Sequence, residues 1–84
     1  MWQIRFEGDL FKKFQKLDST TQKRIGDFLD KKLKKNPQNY SIQLIGNAQR
    51  FRARVGDYRI IFELKNNDLI ILLLNIDHRS KIYK

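Results

Sequence analysis

Six side chains in the second half of the sequence could act together on a phosphate group. Arginine is a planar, permanently charged donor, so it suits phosphate binding and the stabilisation of a charged transition state. It is a poor proton carrier, because its pKa lies above about 12. Proton transfer would instead fall to a histidine, whose ordinary pKa is about 6.5, or to a tyrosine that a nearby positive charge helps to ionise. The six candidates are Arg52, Arg54, Arg59, His78, Arg79 and Tyr83.

Three of these arginines belong to a predicted β-hairpin. Polar and apolar residues alternate over residues 50–55, Gly56-Asp57 interrupts the pattern, and an apolar run follows. This pattern is typical of two strands joined by a two-residue turn. Because side chains alternate along a strand, all three arginines are expected on one face, with Arg54 opposite Arg59. Like charges that face each other destabilise a sheet, so the arrangement indicates an anionic partner.

The remaining elements predict an α+β domain. Ser19 and Gln22 have the spacing of a capping box, which marks the start of a second helix. Pro37 marks its end, because the residue before proline disfavours helical geometry. A strand, a two-helix hairpin and a three-stranded antiparallel meander would place the helices on one face of a mainly antiparallel four-stranded sheet. The predicted elements are a strand at 2–6, helices at 9–17 and 19–36, a connection at 38–48, the hairpin, and a strand at 69–76.

The opposite face of this predicted sheet combines arginine with apolar side chains. Strand alternation places Ile61, Ile70, Leu72 and Leu74 on the arginine face. Two helices can cover only one face, and monomers rarely leave a large apolar patch open. We therefore expect a partner chain, or the C-terminal tail folded back, to cover part of the arginine face.

Composition narrows the class of protein. The 84 residues carry a formal charge of +9, with no cysteine and one histidine. The charge favours polyanions such as nucleic acid, although it also serves solubility alone. The sequence has no cysteine, no spaced His/Asp/Glu cluster and no glycine-rich phosphate loop, so no metal or cofactor is expected. The N-terminus lacks the apolar core of a signal peptide, and the longest apolar run, residues 69–74, is too short to span a bilayer, which predicts a soluble cytoplasmic protein with no membrane partner.

Each candidate also has a plainer structural interpretation. The lysines of the predicted helices would then form an ordinary solvated face. The alternatives are a solvated edge-strand face for Arg52 and Arg54, a surface position for Arg59, a loop position for His78, an ion pair with Asp77 for Arg79, and C-terminal packing for Tyr83.

Two segments resemble a known family. Residues 51–62, FRARVGDYRIIF, resemble the signature hairpin of the RelE/ParE superfamily of toxins. Residues 78–83, HRSKIY, are similar to that family's closing H-R-x-x-[IV]-Y segment. The order of elements and the length match as well. The resemblance thus implies one RelE-like domain over residues 1–84 and the toxin half of a toxin–antitoxin pair.

The resemblance also implies an activity and a set of partners. RelE-type members cut mRNA in the ribosomal A site without metal, whereas ParE-type members poison DNA gyrase. The basic-plus-tyrosine set favours the ribonuclease; a gyrase inhibitor and a non-enzymatic nucleic-acid-binding module are the alternatives. The implied partners are a cognate antitoxin, mRNA, and operator DNA only through the antitoxin. By position, Arg52 and Arg54 match the family's paired basic residues, which are usually lysines, and Arg59 matches the arginine of the next strand. In the tail, Tyr83 matches the C-terminal tyrosine, and Arg79 or His78 matches a further basic residue.

Overall fold

A single sheet of five strands organises the fold. The structure is a computed structural model that describes residues 2–78 and residue 80. The strands are β1 Gln3–Phe6, β2 Ser41–Gln43, β3 Arg50–Val55, β4 Tyr58–Lys65 and β5 Ile70–His78. The helices are α1 Leu10–Gln15 and α2 Ser19–Phe28, followed by a π-helical turn at Leu29–Leu33 and a 3₁₀ helix at Pro37–Tyr40.

The sheet has the order β1-β5-β4-β3-β2. The pairs β2–β3, β3–β4 and β4–β5 are antiparallel, whereas β1 is parallel to β5. The α+β class and the antiparallel meander are therefore confirmed, but the predicted count of four strands is wrong. The additional strand is β2, which occupies three residues of the predicted connection. So short a strand, with Ile42 as its one β-branched residue, shows no readable alternation.

The hydrophobic core lies between the helices and one face of the sheet. Ile25, Leu29 and Leu33 are buried from the helical side. They pack with the buried residues of the sheet, which are Phe51, Ala53, Ile60, Phe62, Leu64, Ile71, Leu73 and Ile76. The opposite face carries the arginines of the hairpin, so the core fixes the strands that hold them.

The second helix begins at Ser19 as predicted, but its cap and its C-terminal end differ from the prediction. Its N-cap is Asp18, whose carboxylate accepts hydrogen bonds from the Thr21 hydroxyl at 2.6 Å and the Thr21 amide at 3.1 Å. The predicted Ser19–Gln22 capping box is wrong, because the side-chain Nε2 of Gln22 donates instead to the carbonyls of Gln15 and Leu17. Asp18 rather than Ser19 caps the helix because its carboxylate accepts two hydrogen bonds at once.

The C-terminal end of the helical segment is a π-helical turn rather than a continuation of the α-helix. The Lys34 amide donates to the Leu29 carbonyl, five residues earlier, at 2.9 Å. In an α-helix, side chains four residues apart point in slightly different directions around the axis, and the wider π-helical turn reduces that difference. Leu29 and Leu33 can therefore both reach the core, where Leu33 is completely buried.

The Asp18 cap predicts a stability that depends on pH. The hydrogen bonds from Thr21, that of its hydroxyl first, lower the pKa of Asp18 below its ordinary value. A lowered pKa in the folded state means that the carboxylate stabilises the protein above its unfolded-state pKa and loses this effect as the pH falls through the folded-state pKa. We expect Asp18→Ala to lower the melting temperature by several degrees at pH 7 and by less at pH 3. Thermal melts followed by circular dichroism across this range test the expectation.

The matched control for this cap is Asp18→Asn. Asparagine is an equally good N-cap but does not titrate. The control should keep the melting temperature at pH 7. An Asp18→Ala deficit that stays constant from pH 7 to pH 3 would contradict the role of the carboxylate charge.

Candidate functional site

The arginine hairpin forms as the sequence predicts. Val55 pairs with Tyr58, and Arg54 pairs with Arg59, across the two-residue turn of Gly56 and Asp57. Gly56 has a φ of +58°, in the left-handed region that such a turn requires and that glycine adopts without strain. Arg52 lies on the same face as this pair. The prediction that the three arginines share one face is thus confirmed.

The three arginines line one cavity of about 430 Å³. Its other wall comes from the 3₁₀ helix and β2, and Ile42 of β2 pairs with Arg52. Strand β2, which was not predicted, is therefore the element that closes the site on one side. The additional lining residues are Asn39, Tyr40, Ser41 and Ile42.

Burial differs among the three arginines. Arg59 lies on β4, between β3 and β5, and is 3% exposed, whereas Arg52 is half-buried and Arg54 is exposed. A purely surface role for Arg59 is therefore wrong. Charges interact more strongly away from bulk water, and a guanidinium stays protonated even when it is buried. Of the three arginines, Arg59 is thus the one whose charge solvent screens least.

A β-bulge brings a carboxylate onto the arginine face. The register between β4 and β5 shifts at Ile61/Phe62, so that Ile61 pairs with Asn75 and Arg59 pairs with Asp77. Leu74 is the extra residue of the bulge and has no pairing partner on β4, and it is half-buried outside the core cluster, as are Ile61, Ile70 and Leu72. Bulges of this kind re-aim side chains and often occur beside functional sites. Asp77 was not predicted as a neighbour of Arg59, since a bulge leaves no periodic signal in the sequence.

Helix α1 supplies a counter-charge for this carboxylate. Lys13 Nζ lies 2.8 Å from Asp77 Oδ2 and donates to Asn75 Oδ1 at 3.2 Å. The Asp77 side chain is only 17% exposed, so solvent screens this ion pair less than a pair on the open surface. Lys13 therefore offsets the negative charge that the bulge places opposite Arg59.

The histidine lies on the other face of the sheet from the arginines. His78 pairs with Tyr58 on the helical face, and their ring centroids are 5.6 Å apart in an edge-to-face contact. Its Nδ1 accepts a hydrogen bond from the Ser80 amide at 3.3 Å, which leaves the proton of a neutral ring on Nε2. The structure thus does not bring His78 to the arginines. Arg79 and Tyr83, the other two tail candidates, lie outside the described residues.

A second ion-pair network limits the basic character of the arginine face. Glu63 accepts hydrogen bonds from Lys65 at 3.2 Å and Arg50 at 3.4 Å. These contacts, that of Lys65 first, outweigh the opposing effect of burial and lower the pKa of Glu63 below its ordinary value. Glu63 therefore stays negative at neutral pH and balances Arg50, so the cationic centre of the face lies at the cavity.

The predicted apolar patch on the arginine face is only partly open. Ile61, Ile70 and Leu72 lie on this face and are half-buried, and Ile42 at its edge is 63% exposed. Of the two predicted covers for this patch, a partner chain or the C-terminal tail, the tail lies outside the described residues.

Within residues 2–78 and 80, no three His, Asp or Glu side chains cluster in a way that could hold a metal ion. In the same part of the chain, every helix is too short or too polar to cross a bilayer.

Comparisons with known proteins identify the fold and the family. The fold matches the toxin-antitoxin complex RelBE2 from Mycobacterium tuberculosis, with a TM-score of 0.83, 24% identity, and coverage of 93% of this chain and 98% of that chain. It also matches the archaeal RelE-RelB complex from Pyrococcus horikoshii OT3, with a TM-score of 0.78, 27% identity, and coverage of 95% and 97%. The fold is therefore RelE-like.

Sequence comparisons reach the same family. A putative RelE-like toxin protein of Escherichia coli is 29% identical over 85 residues, which cover 95% of this chain and 85% of that protein. The family model described as the ParE toxin of the type II toxin-antitoxin system parDE matches residues 4–83. The chain belongs to the RelE/ParE toxin family of type II toxin–antitoxin systems.

Proposed function

We propose that this chain is the toxin of a toxin–antitoxin pair and a metal-independent endoribonuclease that cleaves mRNA on the ribosome. The observation that carries the proposal is the cavity lined by Arg52, Arg54 and Arg59, with Arg59 almost completely buried. The size of this cavity and its three permanently charged arginines suit a phosphodiester group. The proposed place of action is the cytoplasm, where ribosomes are found.

The proposed chemistry uses the RNA's own 2′-hydroxyl as nucleophile. Its oxygen attacks the adjacent phosphorus, the bond to the 5′-oxygen breaks, and a 2′,3′-cyclic phosphate forms. The 2′-hydroxyl loses one proton and the 5′-oxygen gains one, so the protein needs only to transfer protons and stabilise the charged intermediate. Arginine donors aimed at the developing charge supply that stabilisation.

The roles divide between the arginines and the tail. Arg59 would stabilise the transition-state charge, because it is the most buried of the three and its charge is screened least by solvent. Arg52 and Arg54 would hold the scissile phosphate. Tyr83 would transfer protons, with Arg79 as a further cation, since His78 lies on the opposite face of the sheet.

The proposed partner is a cognate antitoxin. RelE is in complex with RelB in the Pyrococcus horikoshii structure. For this chain, the half-buried apolar residues beside the arginines would suit an antitoxin segment that carries both apolar and acidic side chains. Contact with operator DNA would then occur only through the antitoxin.

A second candidate function is inhibition of DNA gyrase. It is favoured by the match over residues 4–83 to a family model described as a ParE toxin. A gyrase inhibitor should block supercoiling and leave ribosome-bound mRNA intact. A non-enzymatic nucleic-acid-binding module should do neither and should only bind, with strong salt dependence.

The distinguishing experiment combines two assays on the purified chain. We expect mRNA on programmed ribosomes to be cut near the A-site codon, with a 2′,3′-cyclic phosphate on the upstream fragment. We also expect gyrase supercoiling of a relaxed plasmid to proceed unchanged. Intact mRNA together with blocked supercoiling would reject the ribonuclease in favour of the gyrase inhibitor.

A further inference from the structure

A second cavity adjoins the arginine cavity and is not used by the proposed chemistry. It has a volume of about 590 Å³ and lies between the helical segment and the β3–β4 turn. Tyr40 and Arg54 line both cavities, so the two cavities adjoin at the β2 edge of the sheet. We call the second cavity the Tyr40 groove. It is lined by Arg24, Asp27, Phe28, Lys31, Lys32, Tyr40, Arg54, Val55 and Gly56.

The Tyr40 groove is strongly cationic. It has four basic side chains, from Arg24, Lys31, Lys32 and Arg54, and one carboxylate, from Asp27. Asp27 Oδ1 lies 4.0 Å from Lys31 Nζ, and both side chains are more than half exposed. Solvent therefore screens this ion pair, and Asp27 offsets little of the positive charge of the groove. The groove therefore favours an anionic ligand.

Tyr40 provides an aromatic surface at the boundary of the two cavities. Its ring and that of Phe28 form a T-shaped pair, with the centroids 6.2 Å apart and an interplanar angle of 83°. Lys32 Nζ lies 5.9 Å from the ring centroid. The residue is nonetheless 41% exposed. Phe28 fixes the ring from one side, and the exposed part of the ring can stack on a flat ligand.

We propose that the Tyr40 groove binds the single-stranded RNA that flanks the scissile phosphate. A base of the flanking nucleotides stacks on Tyr40, and their phosphates contact Arg24, Lys31 and Lys32. A cationic groove with a stacking aromatic is the usual design of a single-strand site that tolerates any sequence. The proposal deepens the proposed function, because it gives the RNA a continuous track from the arginine cavity around the β2 edge.

The first test measures binding of a fluorescent ten-nucleotide single-stranded RNA to the isolated chain by anisotropy. Tyr40→Leu removes the aromatic face and keeps an apolar side chain, and we expect it to weaken binding about tenfold. Tyr40→Phe keeps the face and should bind like the wild type. Equal affinities of the wild type and Tyr40→Leu, with both folded by circular dichroism, would overturn the proposal.

The second test measures the salt dependence of the same binding. Each lost phosphate contact should reduce the slope of log K against log salt by about 0.7 for a single strand. The double variant Lys31→Gln/Lys32→Gln should therefore reduce it by about 1.4. The control Lys12→Gln/Lys23→Gln removes the same charge from exposed positions outside the groove and should leave the slope unchanged. Equal slopes for the two double variants would overturn the proposal.

The tests separate this inference from the proposed function. Binding that depends on Tyr40, without cleavage on ribosomes, would support the groove and reject the ribonuclease. Cleavage on ribosomes, with RNA binding that does not change in Tyr40→Leu, would support the ribonuclease and reject the groove. A ten-residue polyglutamate peptide is the remaining probe: if Tyr40→Leu weakens binding of the peptide and not of the RNA, the groove is a protein-docking site and the proposal fails.

Discussion

Replacing Arg59 with glutamine should reduce mRNA cleavage on programmed ribosomes by about 100-fold or more. Arg59 is buried on β4, opposite Arg54, and lines the cavity proposed to hold the scissile phosphate. Loss of one preorganised donor to a developing negative charge typically costs 10²–10³-fold in rate. Arg59→Lys should lose most of the activity as well, because an ammonium keeps the charge without the planar bidentate fork.

The matched control for this prediction is Arg50→Gln. Arg50 lies on the same face of β3, but its charge is balanced by Glu63 and it does not line the cavity. The control should cleave within about threefold of the wild type, since it removes no phosphate donor. Urea titrations would show that the Arg59 variants remain folded under the assay conditions. A folded Arg59→Gln protein with wild-type cleavage would contradict the assigned role.

Replacing Phe62 with alanine should lower the free energy of unfolding by about 3–5 kcal/mol. Phe62 is completely buried, and its ring stacks on that of Phe51 with the centroids 5.7 Å apart. It also lies at the bulge, where it pairs with Leu73. Small domains have a total stability near the low end of about 5–15 kcal/mol, so this single change would bring the chain close to unfolding.

The control for the core prediction is Ile45→Ala. Ile45 is fully exposed, so its truncation should leave the midpoint of urea unfolding unchanged. Phe62→Leu keeps most of the apolar volume and should fall between alanine and the wild type. A Phe62→Ala midpoint equal to that of the wild type would contradict the position of the core.

The arginine hairpin was predictable because its signals are local. The Gly56-Asp57 turn, the alternation before it and the apolar run after it fix the register, and the register fixes the shared face of Arg52, Arg54 and Arg59. The helices and the α+β class also followed from local periodicity. The parallel pairing of β1 with β5 did not, since the partners are more than sixty residues apart in the sequence.

The surroundings of the arginines were not predictable from the sequence. Strand β2 is too short for a pattern, yet it and the preceding Tyr40 form a wall of the cavity. The bulge in β5 leaves no trace in the hydrophobic pattern, yet it brings Asp77 onto the arginine face. The position of His78 was not predictable either, because β5 extends to this residue and the alternation of the strand then places its side chain on the helical face. Each of these features depends on tertiary pairing.

Cleavage of mRNA on programmed ribosomes, with the fragment ends mapped, tests the central claim most directly. The wild-type chain should cut in the A site, and the triple variant Arg52→Ala/Arg59→Ala/Tyr83→Phe, checked for folding by circular dichroism, should leave the mRNA intact. Full cleavage by the folded triple variant would show that the arginine cavity and the terminal tyrosine are not the catalytic site. Absence of cleavage by the wild-type chain would reject the ribonuclease itself.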